Sequence, residues 1–277
     1  MTLVLVGTPI GNLGDLTPRA VEALREADAI CCEDTRRTGR LLQHAGIERT
    51  PLIVVNDHTE EAATPGVLAR LAAGAQVAVV TDAGMPGISD PGERLAAAAL
   101  AAGHEVRVVP GPSAAVTALV ASGLPTGRYA FEGFLPRKGS GRTERLAEVA
   151  AERRTVVLYE APHRLARTLA DLVAACGPDR PVAIGRELTK LHEETWRGTL
   201  AEALAWAEAH PPRGELVVVL GGAPPAPAAT GDDVDTAVTA RLAAGDSPKD
   251  AAAAVAKALG VPKRVAYEAA TRLRSRA

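Results

Sequence analysis

Aromatic residues and cysteines are scarce in this chain of 277 residues. Only 3% of the residues are Phe, Trp or Tyr, whereas 47% are hydrophobic and alanine is abundant. Alanine favours helices and packs closely, so the low aromatic content does not indicate disorder. The three cysteines are Cys31, Cys32 and Cys176. Their odd number, with two adjacent in an apolar run, argues against a disulfide framework and predicts a reducing, cytoplasmic location.

A large charge of either sign is also lacking. The formal net charge is -2, so the chain as a whole is not a strongly basic nucleic-acid binder. Its charge is uneven, because the segment from Asp232 onward carries +2 and the rest carries -4. Any contact with RNA is therefore expected to be local.

Several kinds of segment and site are missing from the pattern. No apolar run reaches the length that spans a bilayer, and the N-terminus lacks the basic region of a signal peptide. We therefore expect no membrane partner. No Cys/His grouping has the spacing of a zinc site, and no carboxylate cluster indicates another metal, so we expect no metal.

Strand-like and helical segments alternate through the first two-fifths of the chain. The strand-like runs are residues 3–6, 29–32, 52–55, 77–80 and 106–109. The helical segments between them mostly begin after cap-type residues and end at glycines, which are typical helix boundaries. This βαβ rhythm predicts a mostly parallel sheet with right-handed crossovers. The second half predicts another α/β unit with a mixed sheet, including an antiparallel hairpin element near residues 194–198.

The C-terminal end differs in composition from the rest. Residues 221–231 form a linker rich in Gly, Pro and Ala, and three short helical segments follow at residues 234–244, 248–259 and 262–274. They resemble a small helix-turn-helix module. Basic residues concentrate toward its end: Lys257, Lys263, Arg264, Arg272, Arg274 and Arg276. The sequence leaves open whether they contact nucleic acid or form a solvated helical surface.

Three loops rich in Gly and Pro follow predicted strands of the first half: residues 7–14, 82–92 and 110–113. One such loop alone is as compatible with a tight turn as with a ligand site. The carboxyl ends of parallel strands lie at one edge of a sheet, so we expect all three loops to converge there on a small molecule. A dinucleotide site is a weak alternative, because Gly7, Gly11 and Gly14 are spaced G-x-x-x-G-x-x-G rather than G-x-G-x-x-G.

Seven segments together resemble the tetrapyrrole methylase superfamily, and within it the ribosomal small-subunit RNA methyltransferase I branch. They are residues 5–20, 32–38, 82–92, 109–114, 131–137, 159–164 and 185–194. The C-terminal helices are similar to the helix-turn-helix segment appended in that branch. The resemblance covers nearly the whole chain in consistent order.

This resemblance implies two α/β domains of the tetrapyrrole methylase (class III methyltransferase) type with a cofactor cleft between them, plus a small C-terminal helical module. We expect these parts at residues 1–118, 119–224 and 232–277. The implied enzyme uses S-adenosyl-L-methionine to methylate the 2′-oxygen of a cytidine ribose in the decoding region of 16S rRNA, with the RNA expected within the small ribosomal subunit. The resemblance also implies that the enzyme is a homodimer.

Carried over position by position, the resemblance implies ten cofactor contacts: Pro9, Ala83, Gly84, Met85, Ile88, Ser113, Ala114, Tyr159, Glu160 and Leu188. Relatives that act on tetrapyrroles have Gly-Gly-Asp-Pro where this chain has residues 83–86. The missing Asp leaves backbone contacts as the expected role of the glycines and Met85. Within the loop 82–92, only Asp82 is expected to act through its side chain.

A ribose hydroxyl is a weak nucleophile, so a positioned base would assist the transfer. We favour Asp34 as this base, with Arg36 or Arg37 binding a phosphate beside it, and Asp82 as a further catalytic residue. Asp34 also stands where a helix cap is expected, and Asp82 could instead brace its own loop. Other candidates near predicted strand ends are Glu33, Asp57, His58, Glu160, Glu187 and Lys190.

For RNA binding, the sequence indicates a basic, glycine-containing loop and the basic C-terminal helix. The predicted contacts are Arg137, Lys138, Arg142, Lys263 and Arg264. Two other functions stay open. One is a tetrapyrrole C-methyltransferase, which would need neither basic segment. The other is a ribosome-assembly factor that binds RNA without chemistry, for which the three converging loops would be dispensable.

Overall fold

Strands and helices alternate along the first half of the chain, and the five strands form the first of two sheets. The computed structural model describes residues 1–48, 50–225 and 229–274, so Arg276 of the basic C-terminal end lies outside the described residues. The first sheet and its helices are β1 (Thr2–Val6), α1 (Pro18–Glu26), β2 (Ala29–Cys32), α2 (Thr35–His44), β3 (Leu52–Val54), α3 (Glu60–Ala72), β4 (Val77–Val79), α4 (Glu93–Ala101) and β5 (Glu105–Val109). Each predicted strand of this half is present, within one or two residues of its expected ends.

The strand order of the first sheet is β3-β2-β4-β1-β5, and every neighbouring pair is parallel. The central strands β2 and β4 are buried throughout, as parallel strands are when helices cover both faces. One buried cluster includes Leu24 and Leu41 on one face, and a second includes Leu71 and Leu95 on the other. The predicted parallel sheet is confirmed.

The second sheet is mixed, as the sequence predicts. After α5 (Ala114–Ser122) come β6 (Tyr129–Phe134), α6 (Ser140–Ala151), β7 (Thr155–Glu160), α7 (Leu165–Cys176), β8 (Pro181–Arg186), β9 (Glu194–Thr199), α8 (Leu200–Ala209) and β10 (Leu216–Leu220). The order is β6-β7-β10-β8-β9. Only β6 and β7 are parallel; β10 is antiparallel to both of its neighbours, and β8 pairs with β9 as the expected antiparallel element.

Helix α5 joins the two sheets into one unit. Its buried residues Ala115, Ala118 and Leu119 share a hydrophobic cluster with Val157 and Val217 of the second sheet. Residues Met1–Ala223 accordingly form one compact unit. The predicted division into domains at residues 118 and 119 falls inside α5, and we propose that the boundary between the two α/β halves lies before this helix.

Residues Pro224–Ala277 form the second compact unit. Its helices are α9 (Gly231–Ala243), α10 (Pro248–Leu259) and α11 (Lys263–Arg274). Thr230 and Ser247 cap the first two helices with their side chains, and the first helix begins three residues before its expected start at residue 234. The unit has its own small core, built mainly from valines and alanines on the three helices. The predicted helical module is thus present.

The described residues also bear on cysteine chemistry and membranes. All three cysteines are free thiols, and burial raises the pKa of Cys31 to about 12. A thiol with such a pKa is an inert core residue rather than a nucleophile. Among the described helices, none combines the length and hydropathy that a bilayer crossing requires.

Candidate functional site

The three glycine- and proline-containing loops meet at the carboxyl edge of the first sheet. The Gly84 carbonyl accepts a hydrogen bond from the Thr8 amide at 2.8 Å, and the Gly84 amide donates to the Thr8 carbonyl at 3.2 Å. The Gly7 amide donates to the carbonyl of Val109, immediately before the third loop, at 2.9 Å. The expected convergence follows from the neighbouring positions of β4, β1 and β5 in the sheet.

The first and third loops approach so closely that no side chain fits between them. A Cβ atom on Gly111 would lie 2.7 Å from the carbonyl carbon of Gly7, and one on Gly7 would lie 2.6 Å from the Gly111 nitrogen. Gly84 in the second loop has a φ of +84°, a conformation that favours glycine. The loops are therefore held in place by backbone contacts that only glycine permits.

A cavity of about 360 Å³ opens beside these loops and is lined by both halves of the first unit. This volume lies within the range of small-molecule sites, which is about 300–1,000 Å³. Nine of the ten predicted cofactor residues line it: Ala83, Gly84, Met85, Ile88, Ser113, Ala114, Tyr159, Glu160 and Leu188. Pro9 instead lines a neighbouring cavity of about 390 Å³, and Ile10 takes its place in the cleft.

The second sheet supplies its side of the cleft through the edge where β7 ends and β10 begins. Leu216 of β10 lies opposite Glu160 of β7 and opposite Arg186 of β8. Because β10 is antiparallel to both, its first residues reach the edge that contains the carboxyl ends of its neighbours. Sequence reasoning missed the four cleft residues Gly214, Glu215, Leu216 and Val217 for this reason.

Backbone strain is concentrated at the cleft. In the described residues, only three non-glycine residues have a positive φ: Ser89 at 60°, Glu187 at 50° and Thr189 at 66°. Ser89 lines the cavity, and Glu187 and Thr189 flank Leu188, which also lines it. Such conformations persist where the surrounding structure holds a functional loop in place. Here Glu187 accepts hydrogen bonds from Lys190 Nζ and the Glu215 amide, each at 2.9 Å.

Two carboxylates brace the end of β2 against the end of β4. Glu33 Oε1 accepts a hydrogen bond from the Asp82 amide at 2.9 Å, and Asp82 Oδ1 accepts one from the Asp34 amide at 3.2 Å. Asp82 Oδ2 also lies 3.5 Å from Arg37 Nε. Asp82 therefore braces its loop and also lines the cleft, and its predicted catalytic role stays a prediction.

Asp34 and Arg36 do not line this cavity. Asp34 caps α2, where its Oδ1 accepts the Arg36 amide hydrogen bond at 2.8 Å and its Oδ2 pairs with Arg36 Nη2 at 2.8 Å. Hydrogen bonds from Arg36 hold the pKa of Asp34 well below its usual range. A carboxyl group with a lowered pKa is a weak base. The structure therefore favours the capping alternative for Asp34 and replaces our preference for it as the base.

Asp90 is the cleft residue with the most altered acidity, and sequence reasoning missed it. Burial, together with the nearby charges of Glu33, Asp57, Asp82 and Glu215, raises its pKa to about 7. Its carboxyl group makes no side-chain hydrogen bond or ion pair with another described residue. The expectation that only Asp82 in the loop 82–92 has a chemical side-chain role stays a prediction, and Asp90 is a second candidate in the same loop. The one sequence signal that could have identified Asp90 is its position as an ionisable residue inside a predicted cofactor loop.

The part of the cleft at the end of β7 is held in place by a buried carboxylate, that of Glu160. Glu160 is 3% exposed, and its Oε2 accepts a hydrogen bond from Thr168 Oγ1 at 2.5 Å. Its Oε1 pairs with Arg164 Nε at 3.1 Å. Burial raises the pKa of the neighbouring Tyr159, whose ring packs edge-on against Phe131 and Phe134. These contacts hold the β7 end of the cleft rigid.

The predicted RNA contacts differ in their exposure. Arg137 and Lys138 are exposed in the loop before α6, and Lys263 and Arg264 are exposed on α11, where Arg264 pairs with Glu268 at 3.0 Å. Arg142 is only 5% exposed, and its guanidinium bonds Asp171, the Pro136 carbonyl and Thr168. Because these partners occupy its donors, we leave Arg142 out of the proposed RNA contacts.

Comparison with known proteins identifies the class to which this fold and cleft belong. Residues 2–204 match the family described as Tetrapyrrole (Corrin/Porphyrin) Methylases, and residues 228–274 match the RsmI C-terminal HTH domain. The chain therefore belongs to the tetrapyrrole methylase family. This assignment confirms the predicted enzyme class, a methyltransferase, with S-adenosyl-L-methionine as its methyl donor.

Among similar proteins are enzymes named ribosomal RNA small subunit methyltransferase I. The chain is 47% identical to the protein of that name from Synechocystis sp., with 96% of each chain covered. It is 44% identical to the one from Escherichia coli O157:H7 over 96% of this chain and 93% of the relative. These relatives confirm the resemblance to that branch.

Solved structures confirm the fold. A uroporphyrin-III-C-methyltransferase from Thermus thermophilus matches with a TM-score of 0.58 and 26% identity, covering 79% of this chain and 94% of that one. The methyltransferase CobJ matches with a TM-score of 0.63 and 25% identity, covering 80% of this chain and 94% of that one.

Proposed function

We propose that this protein transfers a methyl group from S-adenosyl-L-methionine to the 2′-oxygen of a cytidine ribose in the decoding region of 16S rRNA. The observation that carries the proposal is the similarity, over 96% of the chain, to relatives named ribosomal RNA small subunit methyltransferase I. The choice of cytidine, of the ribose oxygen and of the decoding region rests on the motif resemblance. The assembled small subunit is the substrate we propose.

The charges of the cleft fit the proposed donor. S-adenosyl-L-methionine carries a methyl group on a positively charged sulfonium, which is a built-in leaving group. Glu33, Asp82, Asp90 and Glu215 line the cleft, whereas Arg37 is its only basic lining residue among those described. An acidic cavity attracts a cationic ligand, and water exclusion strengthens this attraction. The apolar residues Ile10, Ile88 and Leu188 offer surfaces for the remainder of the ligand.

We propose Asp90 as the group that accepts the proton of the ribose hydroxyl. It lines the cleft and makes no competing side-chain bond with another described residue. A base is effective when its pKa lies near the operating pH, and that of Asp90 is raised to about 7. Asp82 lines the cleft too, but its carboxylate bonds the Asp34 amide and lies near Arg37, so we assign it a positioning role.

For RNA we propose contacts from Arg137 and Lys138 in the first unit and from Lys263 and Arg264 in the second. All four are exposed, and positive charges that neutralise phosphates give affinity without reading sequence. The match of residues 228–274 to the RsmI C-terminal HTH domain supports a role for the second unit that a tetrapyrrole enzyme would not need.

We also propose a homodimer in the cytoplasm. Helix α5 exposes Val116 and Val120, four residues apart on one face, at 46% and 69%. Val108, on the outer strand β5, is 52% exposed. Apolar residues at such positions are typical of an interface between copies of one chain. The free thiols of Cys31, Cys32 and Cys176 support a reducing compartment.

A tetrapyrrole C-methyltransferase is the second candidate. It is supported by the fold shared with the uroporphyrin-III-C-methyltransferase from Thermus thermophilus. Methyl-labelled S-adenosyl-L-methionine, offered in parallel with small ribosomal subunits, free 16S rRNA and uroporphyrinogen III, separates the two. We expect label in the RNA of the subunits and none in the tetrapyrrole. Label only in the tetrapyrrole would replace our proposal with the second candidate. RNA binding without any transfer of label would leave a non-catalytic assembly factor.

A further inference from the structure

Another cavity, of about 260 Å³, lies beside the cleft and is lined mainly by basic side chains. Its lining residues are Arg137, Arg142, His163, Arg164, Arg167 and Thr168. We call it the arginine pocket. One short helical turn, Pro162–Arg164, connects it to the cleft, because Pro162 lines the cleft and the next two residues line the pocket.

Two of the four arginines form the fixed inner part of the pocket. Arg142 bonds Asp171 Oδ2 through Nε at 2.8 Å and the Pro136 carbonyl at 2.9 Å. Arg164 donates to the Leu135 carbonyl at 2.7 Å and pairs with Glu160. Both arginines therefore anchor the loop before α6 and have carboxylate partners of their own.

The other two arginines and the histidine behave differently. Arg137, His163 and Arg167 are exposed, and none makes a side-chain hydrogen bond or ion pair with a described residue. Two unpaired guanidinium groups at one small cavity repel each other, and an anion between them would remove this repulsion. The planar fork of a guanidinium fits a phosphate with two parallel hydrogen bonds.

We propose that the arginine pocket binds a backbone phosphate of the RNA strand whose ribose enters the cleft. This inference rests on the proposed function and assigns a phosphate site to it. Arg137 and Arg167 would grip the phosphate, while Arg142 and Arg164 hold the pocket in shape. Because Glu160 lines the cleft and also pairs with Arg164, the two cavities share a rigid wall. A phosphate fixed here would orient the neighbouring nucleotide relative to the methyl donor.

The test uses the full-length variants Arg137→Ala, Arg167→Ala and their combination, with small ribosomal subunits as the ligand. Affinity is measured over a series of salt concentrations, and affinity for S-adenosyl-L-methionine is measured by calorimetry. For the double variant we expect RNA affinity to fall by on the order of tenfold or more, because charge-assisted bonds to phosphate are lost. The slope of log affinity against log salt should decrease by roughly one. Cofactor affinity and thermal stability should not change.

Two further variants serve as controls. The first distinguishes the effect of guanidinium geometry from that of positive charge, and the second tests whether loss of any exposed arginine weakens RNA binding. Arg167→Lys keeps the charge and loses the fork, so it should lower affinity while keeping the salt slope. Arg25→Ala removes an exposed arginine from α1, away from the pocket, and should behave like wild type.

Three results would overturn the inference. The first is a double variant with wild-type RNA affinity and salt slope. The second is an equal loss of cofactor affinity and thermal stability, which would indicate a structural role. The third is binding of inorganic phosphate that the double variant loses while its RNA affinity stays unchanged, which would indicate a small-anion site. If wild type neither binds nor methylates RNA, the proposed function fails as well, so the two failures are distinguishable.

Discussion

Asp90 shows how much of the chemistry depends on a single residue's surroundings. Within the sequence it is one of two acids in the loop 82–92, and the pattern does not show which of them would act as a base. Its altered acidity arises from burial and from carboxylates on three other loops, Glu33, Asp57 and Glu215, in addition to Asp82. These segments are distant in sequence, so only the folded chain shows the effect.

Replacing Asp90 with Asn tests its proposed role through pH dependence. If the charged carboxylate is the active form, wild-type kcat/KM for the cofactor should rise about tenfold per pH unit below about 7 and then level off. The sign follows from the raised pKa, because the fraction of charged Asp90 falls as the pH drops through that value. Asp90→Asn should lose this limb and about 100-fold or more in maximal rate. Methyl-transfer rates between pH 5 and 9 provide the measurement.

Asp57→Asn is the matched control for this experiment. Asp57 is exposed and raises the pKa of Asp90 through its charge, but it does not line the cleft. Removing that charge should shift the limb to lower pH and leave the maximal rate intact. A pH limb that persists in Asp90→Asn would show that another group accepts the proton.

The three loops are the element on which the site depends, and their packing is unusually close. Gly111→Ala would place a Cβ 2.7 Å from the backbone of Gly7, and neither side can relieve the clash by rotating a side chain. The loops would have to separate. We expect a loss of about 1–3 kcal/mol in the free energy of unfolding and at least a tenfold loss in cofactor affinity. Urea denaturation and calorimetry measure the two effects.

Gly39→Ala is the control for the glycine experiment. Gly39 lies within α2, and a Cβ there would meet nothing within 4 Å. Alanine is favoured over glycine in a helix, so this variant should gain about 0.5–1 kcal/mol and bind cofactor normally. If Gly111→Ala matches Gly39→Ala in both measurements, the contact between the first and third loops has no structural importance.

At the scale of elements, the sequence predicts the fold well and the site in part. Helix boundaries are visible because Thr17, Ser113 and Ser247 cap their helices with side chains, which is a local signal. The convergence of the loops follows from the parallel order of β4, β1 and β5. The contribution of β10 was not predictable, because it depends on the antiparallel direction of that strand between β7 and β8. Pairing direction is a long-range property that no local pattern specifies.

At the scale of the whole molecule, α5 explains why two α/β halves behave as one unit. The helix begins at the third loop and buries its face on the second sheet, so the same element positions Ser113 in the cleft and closes the shared core. Movement of one half against the other would expose that core. The cleft is therefore expected to be largely pre-formed before the cofactor binds.

The second unit provides a test of RNA binding that leaves the cleft untouched. We expect the variant with Lys263→Ala and Arg264→Ala to bind small subunits more weakly, with a salt slope reduced by roughly one to two, because up to two phosphate contacts are lost. Its affinity for S-adenosyl-L-methionine should equal that of wild type. Lys249→Ala, at an exposed position on α10, removes a similar charge as the control. Equal RNA binding by all three proteins would mean that the basic end of the module is only a solvated surface.

The chemical identity of the methylated nucleoside tests the central claim most directly. Small subunits that lack the modification are incubated with the enzyme and labelled cofactor, and their 16S rRNA is digested to nucleosides for mass spectrometry. The same RNA is also hydrolysed with alkali, which cannot cleave beside a methylated 2′-oxygen. We predict label in 2′-O-methylcytidine and in an alkali-resistant dinucleotide. Label on a base, or label that alkali releases entirely in mononucleotides, would contradict the proposed ribose methylation.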